Sequence, residues 1–305
     1  MPASGATHET YDANVRYHDL AAENYDAKWG IDYGERGQRQ VVGKLRKALG
    51  SQRETRFRRG LEIGAGTGYF GLNLLRAGVI EEYTASDVSQ GMLDVLAASA
   101  DRLELSARTA CCEATRLPFP DDSFDLVFGH AVLHHLPDLD GLFAELMRVL
   151  APGGALVFCG EPSRHGDRIA EVPKRVAYAL APAWRTLVGA RAAARNGHHR
   201  VAEEEPLEKV VDVHAFTPSA LAAPARRAGF KEVRVTGEEL AASLFGWANR
   251  ALEATAEPSE LPWLWYQYAY RGYLGLQVLD RVLLEPRLPA ALFYNLLISA
   301  RAPSS

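Results

Sequence analysis

Little in this chain points to a secreted scaffold, a membrane span or a nucleic-acid surface. It has 3 cysteines among 305 residues. Three thiols cannot close a secreted disulfide framework, and Cys111, Cys112 and Cys159 lack the spacing of a metal site. The adjacent pair cannot both point inward from one strand face. A reducing, cytoplasmic setting fits that usage. No apolar run reaches the length of a bilayer crossing. The stretch 1–14 is polar and has no apolar signal core. A basic excess is missing too: 34 Lys and Arg against 38 Asp and Glu give a net charge of −4. No general positive field therefore favours a polynucleotide. The dense basic stretch from Lys44 to Arg59 reads as a solvated helix face running into a strand. The 48% hydrophobic and 24% charged content is ordinary for a soluble globular protein, with room for one large domain or one domain carrying insertions.

What is there is organised around Leu61 to Phe70. Arg59 to Ile63 reads as a strand end. Gly64, Gly66 and Gly68 follow at alternate positions, separated by Ala65 and Thr67. Phe70, Leu74 and Leu75 then recur at helical spacing, and Gly78 stands where a helix C-terminal glycine belongs. A strand, a glycine turn and a helix start make a site for a nucleotide-like ligand, because the backbone can approach closely and its N–H groups face outward. A dinucleotide turn needs a third small residue where Tyr69 stands, and a pyrophosphate would be repelled by Glu62. A nicotinamide oxidoreductase is disfavoured on both counts. A ligand with a cationic amino group suits Glu62 instead. Ile80 to Ser86 is a second strand ending at Asp87, whose carboxylate can accept from both hydroxyls of a ribose.

The turn resembles motif I, E-x-G-x-G-x-G, of the class I S-adenosylmethionine-dependent methyltransferases. The resemblance implies backbone contacts from Gly64, Ala65, Gly66 and Gly68, with Glu62 helping to hold the methionyl end. Further stretches are similar to the same family. Asp87-Val88-Ser89-Gln90-Gly91-Met92-Leu93 looks like D-x-S-x-x-M-L, which places Val88 and Met92 at the cofactor; Met92 lies against the adenine or packs in the core. Glu113 to Asp125, with Leu117-Pro118-Phe119, resembles the D/E-A-x-x-L-P-F-x-D-x-S-F-D segment with one extra turn. There Glu113 would accept from the adenine amino group and Ala114 would offer a backbone N–H. Tyr17 to Asp26 partly matches a segment that folds over the cofactor, interrupted by His18. Tyr25 is its cofactor contact, or one of several aromatics anchoring a helix. Ala151-Pro152-Gly153-Gly154 resembles the family's K-P-G-G turn into a fifth strand, Ala155 to Gly160, with Glu161 at its tip.

Asp125 to Phe128 is an apolar parallel strand, followed by His130, His134 and His135. Ligands in open α/β sheets lie at such strand ends. No carboxylate or cysteine completes a metal site from these histidines. His130 is the first candidate for a general base, or contacts the cofactor through its backbone alone; His134 is the second, and His135 points elsewhere.

The expected fold is α/β: a doubly wound, mostly parallel seven-stranded sheet, Rossmann-like, with helical insertions forming a cap. Residues 1–50 would cover the cofactor site. Residues 51–162 and 217–305 would form the methyltransferase core, and 163–216 and 238–288 the acceptor-side insertions. Pro224 should kink or shorten its helix. The aromatic-rich insertion, with Trp263, Trp265, Tyr266, Tyr268, Tyr270 and Tyr273, would wall a substrate pocket, form a homodimer contact or pack on the sheet edge. The function implied is methylation of a small, largely apolar organic acceptor with S-adenosyl-L-methionine, without nucleic acid, metal or membrane span. The alternative is a non-catalytic cofactor-binding subunit of a larger assembly.

Overall fold

The computed structural model describes residues 31–50, 56–193 and 214–304, together with residue 15. Tyr25 lies outside the described residues. The elements follow as α1 (Glu35–Leu49), β1 (Phe57–Ile63), α2 (Tyr69–Arg76), β2 (Ile80–Asp87), α3 (Gln90–Arg102), β3 (Ala107–Cys111), β4 (Phe124–His130), α4 (Leu139–Val149), β5 (Leu150–Pro162), α5 (Arg164–Val188), α6 (Pro218–Arg227), β6 (Lys231–Glu238), α7 (Ala241–Glu253), α8 (Trp263–Leu279) and β7 (Asn295–Arg301).

The strands form one seven-stranded sheet in the order β3-β2-β1-β4-β5-β7-β6. Only β7 runs antiparallel to its neighbours. The order reverses between β1 and β4, and a crevice at such a switch point is where open α/β sheets hold ligands. The central strands are buried on both faces. Leu126 and Phe128 of β4 join Phe70, Leu72, Leu93 and Leu96 on one side. Val127, between them, joins Leu142, Phe143 and Leu146 on the other. That alternation is the period of two expected of a strand covered by helices above and below.

Local signals position the helix starts. Ser89 accepts from the Met92 N–H, Asp138 from Gly141 and Thr217 from Ala220, each three residues on. Pro218 takes the first position of α6, where its missing N–H costs nothing. Pro224 stays inside that ten-residue helix, and the Ala228 N–H closes on its carbonyl. Ala151 to Gly154 fall within the bounds of β5, where a register shift against β4 and a φ of 75° at Gly153 redirect the chain before the run paired from Ala155 onward.

The basic stretch is corrected in part: Arg46, Arg56 and Arg58 are exposed as expected, but two lysines of α1 are not. Lys44 and Lys47 are not solvated. Lys44 pairs with Glu238 and Glu239, and Lys47 with Glu238 at 2.7 Å and Glu285 at 2.8 Å. Tyr273 and Gln277 of α8 donate to Glu239 at 2.8 and 2.9 Å. This enclosed ionic cluster ties α1 to the end of β6 and to α8. Burial opposes the charge on Lys44, yet the two carboxylates hold its pKa well above the ordinary value. Among the described residues, no helix is long and apolar enough to cross a membrane.

Candidate active site

The glycine turn stands at the carboxyl edge of the sheet. Gly64, Gly66 and Gly68 all have positive φ, at 62°, 51° and 90°. Their surroundings differ. A Cβ on Gly64 would meet Val132 Cγ2 at 2.3 Å, and one on Gly68 would meet Leu72 and Leu96 at 2.8 Å. A Cβ on Gly66 would meet nothing within 4 Å. The outer two glycines are therefore packed into the fold, while Gly66 presents bare backbone to open space. Ala65 is buried, with its N–H on the Ser86 carbonyl.

Asp87, at the tip of β2, fixes this turn. Its Oδ2 accepts from the Gly66 N–H at 2.8 Å and its Oδ1 from the Ser89 N–H at 2.9 Å. The next strand tip is close, since the Cys112 N–H bonds the Asp87 carbonyl and the Cys111 thiol lies 3.5 Å from the Val88 carbonyl. Glu113 follows and is exposed; Ala114 is half-buried. Met92 is fully buried in α3, so its side chain packs in the core here.

Glu62 faces the opposite way from Leu61 and Ile63 and is 1% exposed. Its carboxyl group accepts from the Gly71 N–H at 3.1 Å and bonds the Tyr83 hydroxyl. Gly68, the N-cap of α2, has no side chain to satisfy the first helical N–H groups. Glu62 supplies that cap from the strand. Burial pushes its pKa up to about 8, with the Tyr83 and Gly71 hydrogen bonds offsetting only part of the effect.

Sequence reasoning missed Tyr33 here, and saw Glu161 at its strand tip without giving it a role. Tyr33, just ahead of α1, donates its hydroxyl to the Thr67 carbonyl at 2.9 Å and so braces the glycine turn from outside the core. Glu161, at the tip of β5, is fully buried. Its Oε1 accepts from the Val132 and Leu133 N–H groups, both at 3.0 Å. Its Oε2 accepts from the His134 N–H at 3.1 Å and lies 2.9 Å from His134 Nδ1. The segment held this way begins at Ala131, which has a φ of 54°, a left-handed conformation costing roughly 1–2 kcal/mol in a residue with Cβ. It continues as a short 3-10 turn, Leu133–His135. Burial works against the Glu161 charge, but the His134 ring and the backbone donors outweigh it and hold the carboxyl below its usual range. A carboxylate at a strand tip was the sequence signal; its partners come from the segment after β4 and were not legible locally.

His130 is packed between rings. It stacks on Phe70 with centroids 5.4 Å apart and meets Tyr69 edge-on at 6.1 Å. Burial, reinforced by the Lys44 charge, pushes its pKa down to about 4. The imidazole is thus neutral at pH 7 and a weak base. His135 is not turned away as expected: its ring centroid lies 3.8 Å from that of His134. No group of His, Cys, Asp and Glu among the described residues could hold a metal ion.

Known proteins agree with this architecture. A family profile described as a methyltransferase domain matches residues 61–158. The chain is 38% identical over 143 residues to a malonyl-[acyl-carrier protein] O-methyltransferase of Halorhodospira halophila, covering 47% of this chain and 46% of that protein. It is 38% identical over 105 residues to a demethylmenaquinone methyltransferase of Deinococcus radiodurans, covering 34% and 44%. The chain thus spans about half the length of these curated relatives. Phosphoethanolamine N-methyltransferase 2 of Haemonchus contortus, solved with S-adenosyl-L-methionine, superposes with a TM-score of 0.58 at 16% identity, over 94% of this chain and 57% of that one. At that identity the likeness speaks to the fold. The sheet order and the glycine turn thus accompany a stretch, residues 61–158, that is similar to a methyltransferase domain.

Proposed function

We propose that this chain binds S-adenosyl-L-methionine at the β1–β4 switch point and transfers its methyl group to a small organic acceptor with a largely apolar body. The observation that carries the reading is Gly66: open in front, left-handed, and fixed from behind by the Asp87 carboxylate. A bare backbone position with an acidic acceptor beside it fits a nucleoside that must approach closely and be held by its hydroxyls. Asp87 would accept from the ribose and Glu113 from the base amino group, with the turn against the methionyl part. When bound, the group supplies an electrophilic methyl carbon on a sulfonium.

The residues of this chain position and deprotonate. Placing the acceptor and excluding water supply much of the barrier reduction. Where the acceptor carries a proton, His134 is the better base of the two candidates. Its Nδ1 beside the Glu161 carboxylate is the protonated nitrogen, which leaves Nε2 as the acceptor in the neutral ring. His130, neutral and weakly basic between Phe70 and Tyr69, serves as a wall. The net charge of −4 and the quinone acceptor named for one of the relatives support a small metabolite over a polynucleotide.

The experiment is an acceptor screen with the purified chain. Apolar carboxylic acids, phenols, quinols and amines are incubated with S-adenosyl-L-methionine, and S-adenosylhomocysteine is measured. Acceptor-dependent product is expected. Tight binding of the methyl donor with no turnover on any acceptor would favour the non-catalytic subunit; no binding at all would refute the site.

A further inference from the structure

Helix α8 continues directly into a π-helical turn, Asp280–Leu284. Together they make a rod of about 33 Å. Leu264, Tyr268, Val278, Leu279 and Val282 recur at helical spacing and share one face of it. All five are exposed, Leu264 by 72% and Val282 by 64%, and no residue of α8 is buried. Trp263, at the start of the helix, is exposed as well. The charged groups along the rod are sorted by sign. Arg271, Arg281 and Arg287 are exposed. The acids turn inward: Asp280 is fully buried and accepts from the Ala241 and Ala242 N–H groups, capping α7, and Glu285 pairs with Lys47. The outer surface is therefore apolar, aromatic and positive, without an exposed carboxylate between Trp263 and Arg287.

We infer that this face of α8 docks on an anionic lipid surface, the helix lying along the interface without crossing it. Soluble chains rarely leave so long an apolar stripe in water. A stripe of aliphatic and aromatic groups that carries Arg271 within it, and has no exposed carboxylate, matches the acyl boundary beneath anionic headgroups. The helix is not apolar enough to span. The inference stands apart from the methyl-transfer reading, since it uses none of the residues at the strand tips.

The test is sedimentation of the full chain with vesicles of phosphatidylcholine, with and without phosphatidylglycerol. Binding is expected only with phosphatidylglycerol and should weaken as salt rises. Each arginine near such a surface contributes about fivefold to affinity. Arg271→Glu with Arg281→Glu should therefore weaken binding by about thirtyfold or more. Leu264→Glu with Val282→Glu should weaken it at least tenfold while the circular dichroism spectrum stays that of the parent chain. Failure to bind phosphatidylglycerol vesicles overturns the inference, as does binding that both double variants retain. A dimer that the Leu264→Glu, Val282→Glu pair dissociates and that vesicles do not compete away would overturn it too, and would assign the face to a contact between two copies.

Discussion

Glu161 and His134 are joined twice, once through the histidine backbone N–H at 3.1 Å and once through Nδ1 at 2.9 Å. One carboxylate from β5 thus sets both the path of the segment after β4 and the orientation of the imidazole it carries. Glu161→Gln keeps the shape but replaces an acceptor-only group with one that must donate from one side. Glu161→Ala removes every acceptor from three buried or half-buried N–H groups. We expect the alanine variant to lose roughly 3–5 kcal/mol of stability, measured by urea denaturation. The glutamine variant should stay folded while turnover on the identified acceptor falls at least about tenfold. Unchanged turnover in folded Glu161→Gln would remove His134 from the chemistry.

Gly66 and Gly64 should separate binding from folding. Gly66→Ala meets no neighbour, so its stability loss should be limited to the left-handed backbone, about 1–2 kcal/mol. Its affinity for S-adenosyl-L-methionine should drop by far more than stability suggests, because the new methyl enters the open side. Gly64→Ala collides with Val132 and should instead be expressed poorly or unfold early. Calorimetry of binding beside thermal melts of both variants distinguishes the two cases.

Asp87→Ala should weaken S-adenosyl-L-methionine binding by about ten- to a hundredfold, the loss of one charged hydrogen-bond partner. The same change releases the Gly66 and Ser89 N–H groups, so Asp87→Asn is the necessary companion. Isothermal titration of both settles the assignment; a folded alanine variant with parental affinity would withdraw it.

Two buried groups give opposite pH signatures. Glu62 has a pKa raised to about 8, so the native state holds its proton where the unfolded chain has lost it. Stability from this group is present below about pH 4.5 and declines as pH rises towards 8, by up to about 5 kcal/mol. His130 is shifted down to about 4, so its native state refuses a proton that the unfolded chain accepts. Stability there is full above about pH 6.5 and is lost as pH falls towards 4, by about 3 kcal/mol. Glu62→Gln should flatten the alkaline limb and His130→Gln the acid limb in denaturation series across pH. An activity profile with an inflection near 6.5 that disappears in His130→Gln would contradict the shift assigned to that ring.

The sheet and the glycine turn were legible because their signals are local. Alternate glycines, a strand ending on Asp87, and Ser89 or Thr217 before a helix each act within a few residues. What stayed hidden depends on which strands lie side by side. Glu62 read as an anion for a ligand, yet the strand period turns it beneath α2, where Tyr83 from β2 meets it. His130 read as a base near neutral pH, and only the tertiary fold stacks Phe70 on it and brings the Lys44 charge to bear. Glu161 was visible at a strand tip, but its donors come from the neighbouring strand's exit. Lys44 and Lys47 looked solvated because their carboxylate partners stand almost two hundred residues or more further on.

That distant pairing has an evolutionary and engineering consequence. The ammonium groups of Lys44 and Lys47 come from the amino-terminal helix, and the carboxylates they neutralise come from the end of β6 and from the turn after α8. Neither half is electrically complete alone. Grafting residues 238–288 onto a related scaffold would strand three carboxylates without counter-ions, and trimming α1 would do the same from the other direction. The two segments are therefore a single heritable unit: a chimera that exchanges one must exchange the other, however far apart they lie in the gene.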